Sequence, residues 1–304
     1  MSTIVVTGAF SYTGKYVARI LLDRGHTVLT LTHHTARPNP FGARVSVFPY
    51  NFHDPDKLAD SLRGASALIN TYWVRFPHGN STFENAVRNT RTMIAAARRA
   101  GVERIVHVSI ANSSPDSPLA YYKGKALLEE AVKASGLSYT ITRPTVIFGD
   151  EDILINNIAW FVRHLRVFGI PGDGRYGIRP IYVEDMARLL ADSSETRENA
   201  TIDAVGPETF PFEDLVRLIA KETSAAVQLM HLPPILAYIS TRVIGLFTQD
   251  VILTWQEYKG LLANLLLTNG PPTGHTRLSD WLHANRDRVG RHYASEVARH
   301  FSKR

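Results

Sequence analysis

Two side chains capable of exchanging a proton, Tyr121 and Lys125, lie four positions apart ahead of an apolar helical pattern. Residues four apart share one face of a helix, so the lysine ammonium would stabilise the phenolate and lower the phenol pKa from about 10. Such a tyrosine can pass a proton to or from a carbinol oxygen near neutral pH. Ser109, which follows a β-branched run, would hold that oxygen. The alternative is a surface tyrosine beside a solvated lysine, because this spacing is common by chance.

A glycine-containing turn over residues 7–14 lies between the first β-branched run and the first helical pattern. Gly8 permits a tight turn, Gly14 permits close helix packing, and the amides at the helix N-terminus can receive a pyrophosphate. Ser11 stands where such a pattern usually has its middle glycine, and the alternative is an ordinary strand-to-helix turn. The other residues of the turn assigned to this site are Phe10, Tyr12 and Thr13.

No acidic residue follows the second β-branched run, where an Asp or Glu would bind the adenosine ribose and select NAD. His33 and His34 stand there instead, with Arg37 a few positions on. A neutral-to-basic site favours the 2′-phosphate of NADP, so NADP(H) is expected to bind in preference to NAD(H) unless these side chains only face solvent. No metal site is expected, because adjacent histidines on an extended segment diverge.

Two further groups of residues are candidates for substrate contact. Trp73 and Arg75 belong to a bulky segment after the fourth β-branched run, and they would provide a stacking wall and an anion contact for a flat aromatic or anionic ligand. A packed corner with Arg75 in a structural ion pair is the alternative. Asn156 and Asn157 are candidates for substrate hydrogen bonds, or for capping a helix over residues 158–165.

The order of the apolar runs predicts the fold that positions these groups. The β-branched runs alternate with helical patterns, which indicates the Rossmann fold of the α/β class, a doubly wound parallel sheet. Six strands are predicted, at residues 4–6, 28–32, 45–48, 67–70, 104–108 and 139–142, and residues 179–183 are expected to return briefly to the sheet. Ligands bind such sheets beyond the carboxyl ends of the strands.

A change of composition after Pro144 marks a second region. Loops rich in Gly, Pro and Asp follow, and the later part of the chain has mostly helical patterns. The predicted dinucleotide-binding domain covers residues 1–149 and is completed by about 179–205. A smaller, mostly helical substrate-covering region is predicted over residues 150–178 and 206–304.

Composition and charge limit the compartment and the partners. The 304 residues contain no cysteine, which excludes disulfides and thiolate metal sites and fits a reducing cytoplasm. No export signal is visible ahead of the first strand, so a cytoplasmic location is expected. The net charge of +6 is scattered, and the Arg-rich residues 286–304 are predicted to form a solvated amphipathic helix rather than a nucleic-acid contact.

No segment is predicted to span a membrane. The longest candidate, residues 232–247, is short and is interrupted by prolines and polar side chains. Its apolar residues recur at helical intervals, so they are expected to pack on the protein's own core rather than on lipid. No sequence feature indicates the oligomeric state.

In combination, these motifs resemble the extended and atypical short-chain dehydrogenase/reductases. The chain is most similar to a branch of NAD(P)-dependent epimerase/dehydratase-like proteins that includes the nucleotide-binding accessory subunit of respiratory complex I. The segments that carry the resemblance, in family order, are residues 7–14, 51–52, 107–109, 121–129, 143–149 and 180–187.

The resemblance implies a role for each matching position. Asn51 and Phe52 would meet the adenine, and Thr71 and Tyr72 would follow the middle of the cofactor. Lys125 would bind the nicotinamide ribose. The nicotinamide ring would lie against Pro144, Thr145 and Val146.

The resemblance also implies the reaction. The expected protein is an oxidoreductase or epimerase-like enzyme that moves a hydride between nicotinamide and a carbinol or carbonyl carbon of a small-molecule substrate, with Tyr121 as acid/base. The first alternative is a non-catalytic NADPH-binding accessory or redox-sensing subunit. The second is a membrane-peripheral module that uses residues 235–247.

Overall fold

The computed structural model of the protein describes residues 1–36 and 38–300, which form two compact units. The first unit contains residues 1–144 and 183–204. The second contains residues 145–182 and the chain from residue 205 onward. The chain therefore leaves the first unit after Pro144 and returns to it later for one helix and one strand.

The elements are numbered in chain order across the described residues. The strands are β1 (Thr3–Thr7), β2 (Thr27–Thr32), β3 (Val45–Pro49), β4 (Ala65–Asn70), β5 (Arg104–Val108), β6 (Ser138–Pro144), β7 (Ile147–Phe148), β8 (Val167–Pro171), β9 (Gly177–Ile178), β10 (Ile181–Tyr182), β11 (Ala200–Ala204), β12 (Phe210–Pro211) and β13 (Gln228–Leu232). The α-helices are α1 (Tyr12–Asp23), α2 (Pro55–Leu62), α3 (Phe83–Arg99), α4 (Ala120–Lys133), α5 (Leu154–His164), α6 (Val183–Glu195), α7 (Phe212–Glu222), α8 (Pro234–Thr248), α9 (Trp255–Leu262), α10 (Leu278–Asn285) and α11 (Glu296–His300).

Within the described residues, the first unit is built on a seven-stranded parallel sheet in the order β3-β2-β1-β4-β5-β6-β11. Ile4, Val5 and Val6 of β1 are almost fully buried, as expected for a strand with both faces covered by helices. The strand order reverses between β1 and β4, which is the switch point where doubly wound sheets bind ligands. The predicted doubly wound parallel sheet of the α/β class is confirmed.

The seventh strand differs from the sequence prediction. Residues 179–183 were expected at the sheet, but Ile181–Tyr182 pairs with Ile147–Phe148 inside the second unit. The strand that completes the sheet is Ala200–Ala204, which pairs with β6. This edge strand has polar Thr201 and Asp203 and is half-exposed along most of its length, so it lacks the apolar run by which the central strands are recognised.

In the second unit, helices α5 and α7 to α11 accompany three described strand pairs, β7–β10, β9–β12 and β8–β13. Its core is formed by aromatic and aliphatic side chains from helices α5, α7 and α10, from strands β7 and β8, and from the loop after β8. Members of that core are Phe148, Ile155, Ile170, Tyr176, Phe212, Leu215, Trp281 and Leu282.

The Arg-rich end of the chain does not form the continuous amphipathic helix predicted for residues 286–304. Helix α10 ends at Asn285, and turns precede the short helix α11. Gly290 adopts a φ of +69°, and a Cβ there would lie 2.5 Å from the Ala159 backbone. This left-handed, closely packed residue interrupts the helix. Residues 301–304 lie outside the described part of the chain.

Helix α8 also differs from its prediction. The apolar residues of 235–247 were expected to pack on the protein's own core, but most of the large ones are exposed, among them Ile235, Ile239, Val243 and Phe247. Among the helices of the described chain, none has the length and apolar character needed to cross a membrane. The exposed apolar face of α8 is therefore not explained by a helix that crosses a membrane.

Candidate functional site

The glycine turn joins the end of β1 to the start of α1. Gly8 has a φ of +63°, and a Cβ at Gly14 would lie 2.1 Å from the Gly8 carbonyl oxygen. Both positions therefore require glycine, one for its backbone angle and the other for close approach. This geometry brings the N-terminus of α1, with amides that no helical carbonyl satisfies, against the end of the strand. The arrangement fits a pyrophosphate group.

Ser11 is used inside the turn rather than directed outward. Its hydroxyl donates to the Gly8 carbonyl at 2.6 Å, and it makes no side-chain cap on α1. The departure from the usual glycine is thus accommodated by a local hydrogen bond. Phe10 and Tyr12 have aromatic neighbours, with ring-centroid distances of 6.4 Å to Phe41 and 6.1 Å to Tyr16, respectively.

Three buried or half-buried threonines hold the switch point together. The Thr71 hydroxyl donates to the Thr7 carbonyl at 2.6 Å, and the Thr71 amide donates to the Thr7 hydroxyl at 2.7 Å. Thr30 donates to Val6 and accepts from the amide of Ala9, both at 2.9 Å. The structure therefore places Thr71 beside the glycine turn. Thr30 was not identified from the sequence, because a threonine inside a strand has no distinguishing pattern.

An aromatic cluster follows the ends of β2, β3 and β4. It brings together three predicted cofactor residues, His33, Phe52 and Tyr72, with Tyr50, which the sequence analysis did not select. Ring centroids are 4.7 Å apart for His33 and Tyr50, 4.8 Å for Tyr50 and Phe52, and 5.3 Å for Phe52 and Tyr72. Asn51 separates Tyr50 and Phe52 along the chain. It has a φ of 44°, a conformation that asparagine tolerates.

Partial burial against these rings, followed by the neighbouring His34, lowers the pKa of His33 below its ordinary value. The imidazole is therefore neutral near pH 7 and adds no positive charge for a 2′-phosphate. His34 is exposed. Arg37, the third residue of the predicted phosphate contact, lies outside the described residues.

Ser109 belongs to a buried polar network. Its hydroxyl donates to Glu129 Oε1 at 2.5 Å, and Ser113 donates to the same oxygen at 2.6 Å. Arg143 completes the network by binding both carboxylate oxygens of Glu129. The Ser109 proton is committed to a carboxylate, so its oxygen can only accept a further hydrogen bond. In this arrangement Ser109 cannot donate to a substrate carbonyl oxygen.

Lys125 lies on α4 and is 3% exposed. Its Nζ donates to the Val108 carbonyl at 2.7 Å and lies 4.7 Å from the centre of the Trp73 ring. Burial lowers the pKa of this ammonium to about 7, against a smaller opposing effect of Glu129. Lys125 is therefore ionisable in the neutral range, which is characteristic of functional lysines.

Trp73 connects the predicted substrate residues to the predicted acid/base pair. Its ring packs edge-on to Tyr121 at a centroid distance of 5.7 Å and stacks on Phe83 at 5.9 Å. A Cβ at Gly124 would lie 2.8 Å from the same indole, so Trp73 lies directly against α4. Its indole nitrogen is buried without a hydrogen-bond partner in the described structure.

The remaining predicted site residues make contacts within their own units. Arg75 lies 5.7 Å from the Phe76 ring. The carbonyl of Pro144 accepts from the Ala111 amide at 2.9 Å. In the second unit, Thr145 donates to the Arg179 carbonyl, and the Val146 carbonyl accepts from the Ile181 amide at 2.8 Å.

Asn156 and Asn157 lie inside α5, so the alternative that they cap a helix beginning at residue 158 is wrong. The Asp152 carboxylate accepts from the Ile155 amide at 2.7 Å near the start of this helix. Asn156 donates to Asp152 and to the Gly149 carbonyl, and Asn157 exchanges two hydrogen bonds with the Ala294 backbone. Both amides thus hold segments of the second unit. Across residues 1–36 and 38–300, no group of three acidic or histidine side chains is arranged to hold a metal ion.

A parallel sheet with a glycine turn at its switch point defines a Rossmann-type dinucleotide-binding domain. Residues 8–157 match the family model described as NAD(P)H-binding. The match begins at Gly8 in the turn and includes the aromatic cluster, the Glu129 network and the Tyr121–Lys125 pair. The chain therefore contains an NAD(P)-binding domain, and this part of the sequence prediction is confirmed.

Curated relatives show the resemblance more closely. Over 233 residues the chain is 27% identical to NADH dehydrogenase (ubiquinone) 1 alpha subcomplex subunit 9, mitochondrial, of Arabidopsis thaliana, covering 72% of this chain and 58% of the relative. Two similar relatives are covered to 60% and 61%, so the chain spans about three fifths of their length. The predicted resemblance to the accessory subunit of complex I is confirmed. The predicted cytoplasmic location stays a prediction.

Solved structures share the fold. A nucleoside-diphosphate-sugar epimerase from Staphylococcus aureus superimposes with a TM-score of 0.74 at 13% identity, over 92% of this chain and 99% of the other. A triphenylmethane reductase from Citrobacter sp., complexed with NADP(H), gives a TM-score of 0.73 at 16% identity, over 93% of this chain and 99% of the other. At these identities the similarity concerns the fold alone.

Proposed function

We propose that the chain is an NADP(H)-dependent oxidoreductase or epimerase-like enzyme of the short-chain dehydrogenase/reductase superfamily. The observation that carries this proposal is Lys125, a buried ammonium one helical turn from Tyr121 on α4, which packs against the same Trp73 ring and whose pKa lies near 7. Burying an ionisable lysine is costly, and such groups concentrate at sites where a proton or an anion is handled. Its ammonium reaches the carbonyl of Val108 at the carboxyl end of β5, the edge of the sheet where ligands of this fold bind.

The chain's residues fit the parts of a dinucleotide. Gly8, Gly14 and the first-turn amides of α1 would hold the pyrophosphate. Phe52 and Tyr72, with Tyr50, offer flat apolar rings to the adenine. Thr71 would follow the middle of the cofactor, and Lys125 the nicotinamide ribose. Pro144, Thr145 and Val146 remain the proposed contacts of the nicotinamide ring.

The reaction proposed is hydride transfer at a carbinol or carbonyl carbon of a small molecule. A bound nicotinamide supplies or accepts the hydride. Tyr121 donates its phenolic proton to the substrate oxygen in reduction and removes the hydroxyl proton in oxidation. A protonated Lys125 stabilises the phenolate left behind. Trp73, which contacts both groups, would line the substrate side together with Arg75. Asn156 and Asn157, which the sequence predicted to bind substrate, are given a positioning role in this proposal, because their amides hold segments of the second unit.

A second candidate is a non-catalytic NADPH-binding accessory subunit. Two observations favour it: Ser109 donates its proton to Glu129, and Trp73 lies over Lys125. Its support among known proteins is the relative named as a subunit of NADH dehydrogenase.

Replacing Tyr121 by Phe decides between these two functions. Removing the hydroxyl should lower NADPH-coupled turnover by about a hundred- to ten-thousand-fold, the contribution of a positioned proton donor. The assay follows NADPH oxidation over a panel of carbonyl compounds and nucleotide sugars. Tyr122→Phe is the matched control, because the next residue along α4 points about 100° away, and its turnover should stay near that of the native enzyme. Full turnover in Tyr121→Phe would contradict the mechanism. Tight NADPH binding with no turnover by the native chain across the panel would favour the non-catalytic accessory function instead.

A further inference from the structure

Helix α8 presents its large apolar side chains away from the protein. Six of them, each between 47% and 85% exposed, are Ile235, Leu236, Ile239, Val243, Leu246 and Phe247. The opposite face has mostly small residues: Ala237 is buried, and Thr241, Gly245 and Thr248 are half-buried, with Ile244 as the one large aliphatic side chain that is half-buried among them. A helix that packs on its own protein shows the reverse order, with its large apolar residues inside. The outer face of α8 is therefore built to meet an apolar environment other than this unit's core.

The six side chains form one continuous strip. Residues 235, 239, 243 and 246 follow helical spacing along a single line, and residues 236 and 247 widen it on one side. At 1.5 Å per residue the strip is about 20 Å long. It is the convex surface of a helix rather than a groove. A flat or deformable partner suits such a surface.

The charge and the aromatic residues around the strip indicate which partner that is. No Asp or Glu occurs between residues 223 and 249, and Arg242, exposed beside the strip, is the single charged residue of α8. Tyr238 packs 5.0 Å from Trp255, which is 39% exposed, and Lys259 lies 5.3 Å from the same indole. Aliphatic side chains bordered by Trp, Tyr and basic residues match the boundary between lipid headgroups and acyl chains.

We propose that α8 binds the surface of an anionic lipid bilayer. The apolar strip enters the acyl boundary, while Arg242 and Lys259 meet headgroup phosphates. With 15 residues, the helix is too short to cross the hydrocarbon core, so it lies in the membrane surface. The positive net charge of the chain, +6, adds attraction toward anionic lipid. The proposal is independent of the proposed reaction, since no residue assigned to cofactor or catalysis lies on α8.

Vesicle sedimentation of the full chain tests this docking surface. The native protein should sediment with phosphatidylcholine vesicles that contain phosphatidylglycerol, and less with phosphatidylcholine alone. The double variant Leu246→Ser/Phe247→Ser removes two of the most exposed side chains, and its partition coefficient should fall by about tenfold or more. Leu165→Ser, which replaces an exposed leucine outside α8, is the matched control and should bind like the native protein.

Two further measurements distinguish other occupants. Arg242→Glu should weaken binding to the anionic vesicles while leaving binding to neutral vesicles unchanged. Light scattering after size exclusion, without lipid, reports whether α8 instead joins two copies of the chain. A native dimer that becomes monomeric in the double variant, with no vesicle binding, would overturn the proposal in favour of self-association. Native protein that binds neither vesicle would overturn it outright.

Discussion

At the residue scale, Lys125 shows how burial sets chemistry. Its ammonium contacts a carbonyl oxygen and an indole ring. These two contacts compensate only in part for the hydration that the ammonium loses on burial. Removal from water disfavours the charged form, which is why the pKa falls to about 7. His107, buried next to it, shows the same effect, since burial and then Lys125 lower its pKa to about 3. His107 is therefore neutral and serves as a hydrogen-bond partner of Asn70.

The buried lysine makes stability depend on pH in a defined window. Its pKa is 10.5 in the unfolded chain and about 7 in the native protein. Between these values the unfolded chain binds more protons, so this group makes the free energy of unfolding rise with pH. Below about pH 7 both states are protonated and the cost of burial is fully present. Lys125→Met removes this cost, so the free energy of unfolding of the variant should exceed that of the native protein most at low pH.

Urea unfolding between about pH 6 and about pH 10 measures this difference. The advantage of Lys125→Met should shrink steadily as the pH rises through that range. Lys123→Met replaces an exposed lysine of the same helix and should leave the pH dependence as it is. Parallel curves for Lys125→Met and the native protein would show that the lysine is not buried in solution.

At the scale of elements, one carboxylate joins β5, α4 and β6. Burial alone would raise the pKa of Glu129, but hydrogen bonds from Arg143, Ser109 and Ser113 outweigh it and hold the pKa below its ordinary value. The carboxylate is thus charged at neutral pH and fully satisfied. The network explains why Ser109, after the end of β5, does not donate to a substrate: Glu129 accepts its proton. Glu129 lies twenty residues from Ser109 and fourteen from Arg143 along the chain, so no local pattern predicts the network.

Breaking this network from one side should be costly. Arg143→Met leaves a buried carboxylate without its cation, and the free energy of unfolding should fall by about 3 kcal/mol. The double variant Arg143→Met/Glu129→Gln removes the charge as well and should recover part of that loss. Because the native pKa of Glu129 is lowered, the stabilisation is present above its unfolded pKa of 4.5 and is lost on further acidification. Glu130→Gln, at an exposed neighbour, is the control. Equal stability of Arg143→Met and the native protein at neutral pH would contradict the account.

At the scale of the whole molecule, the two units divide the chemistry. The first contains the glycine turn, the aromatic cluster and the Lys125 region, whereas the second contains the asparagine contacts and α8. A ligand that binds the folded first unit stabilises it by mass action. Cofactor binding can therefore be measured as stability without knowing the substrate.

NADPH at about a hundred times its Kd should raise the free energy of unfolding of the first unit by about 2.7 kcal/mol. Gly14→Ala should remove this gain, since its Cβ would collide with the Gly8 carbonyl. Gly25→Ala is the matched control, because a Cβ there meets nothing within 4 Å. It should lower the free energy of unfolding without NADPH by about 1 kcal/mol through backbone strain, while NADPH should stabilise it as much as the native protein. If Gly14→Ala does not fold, Gly8→Val provides the second test. An undiminished NADPH effect in a folded variant would contradict the assignment of the turn.

The same measurement tests the choice of cofactor. NADH should stabilise the native protein less than NADPH at equal concentration. Arg37→Ala and His34→Ala should reduce that difference, most strongly at low salt, because added salt screens the attraction between a basic side chain and a phosphate. His33→Ala should not, since His33 is neutral. Equal stabilisation by both dinucleotides at low salt would show that the basic residues after β2 do not select NADP.

Local sequence patterns are sufficient to predict six of the seven strands of the sheet and the dinucleotide turn. β1 to β6 and the longer helices α1, α3 and α4 are visible because each is a local pattern of apolar residues, repeated at the period of its own element. Gly8 and Gly14 are visible for the same reason: the conformations they permit are local properties of the backbone. Such features depend only on residues that are neighbours along the chain, so the sequence is sufficient to predict them.

The partner that each side chain meets follows from tertiary packing. Ser109 pairs with Glu129, Trp73 covers Lys125, and Asn157 holds the backbone at Ala294, in each case across many residues of chain. The outward direction of α8 and the edge position of β11 were decided in the same way. Periodicity shows that residues share a face, but whether that face is buried depends on surfaces supplied by distant parts of the chain.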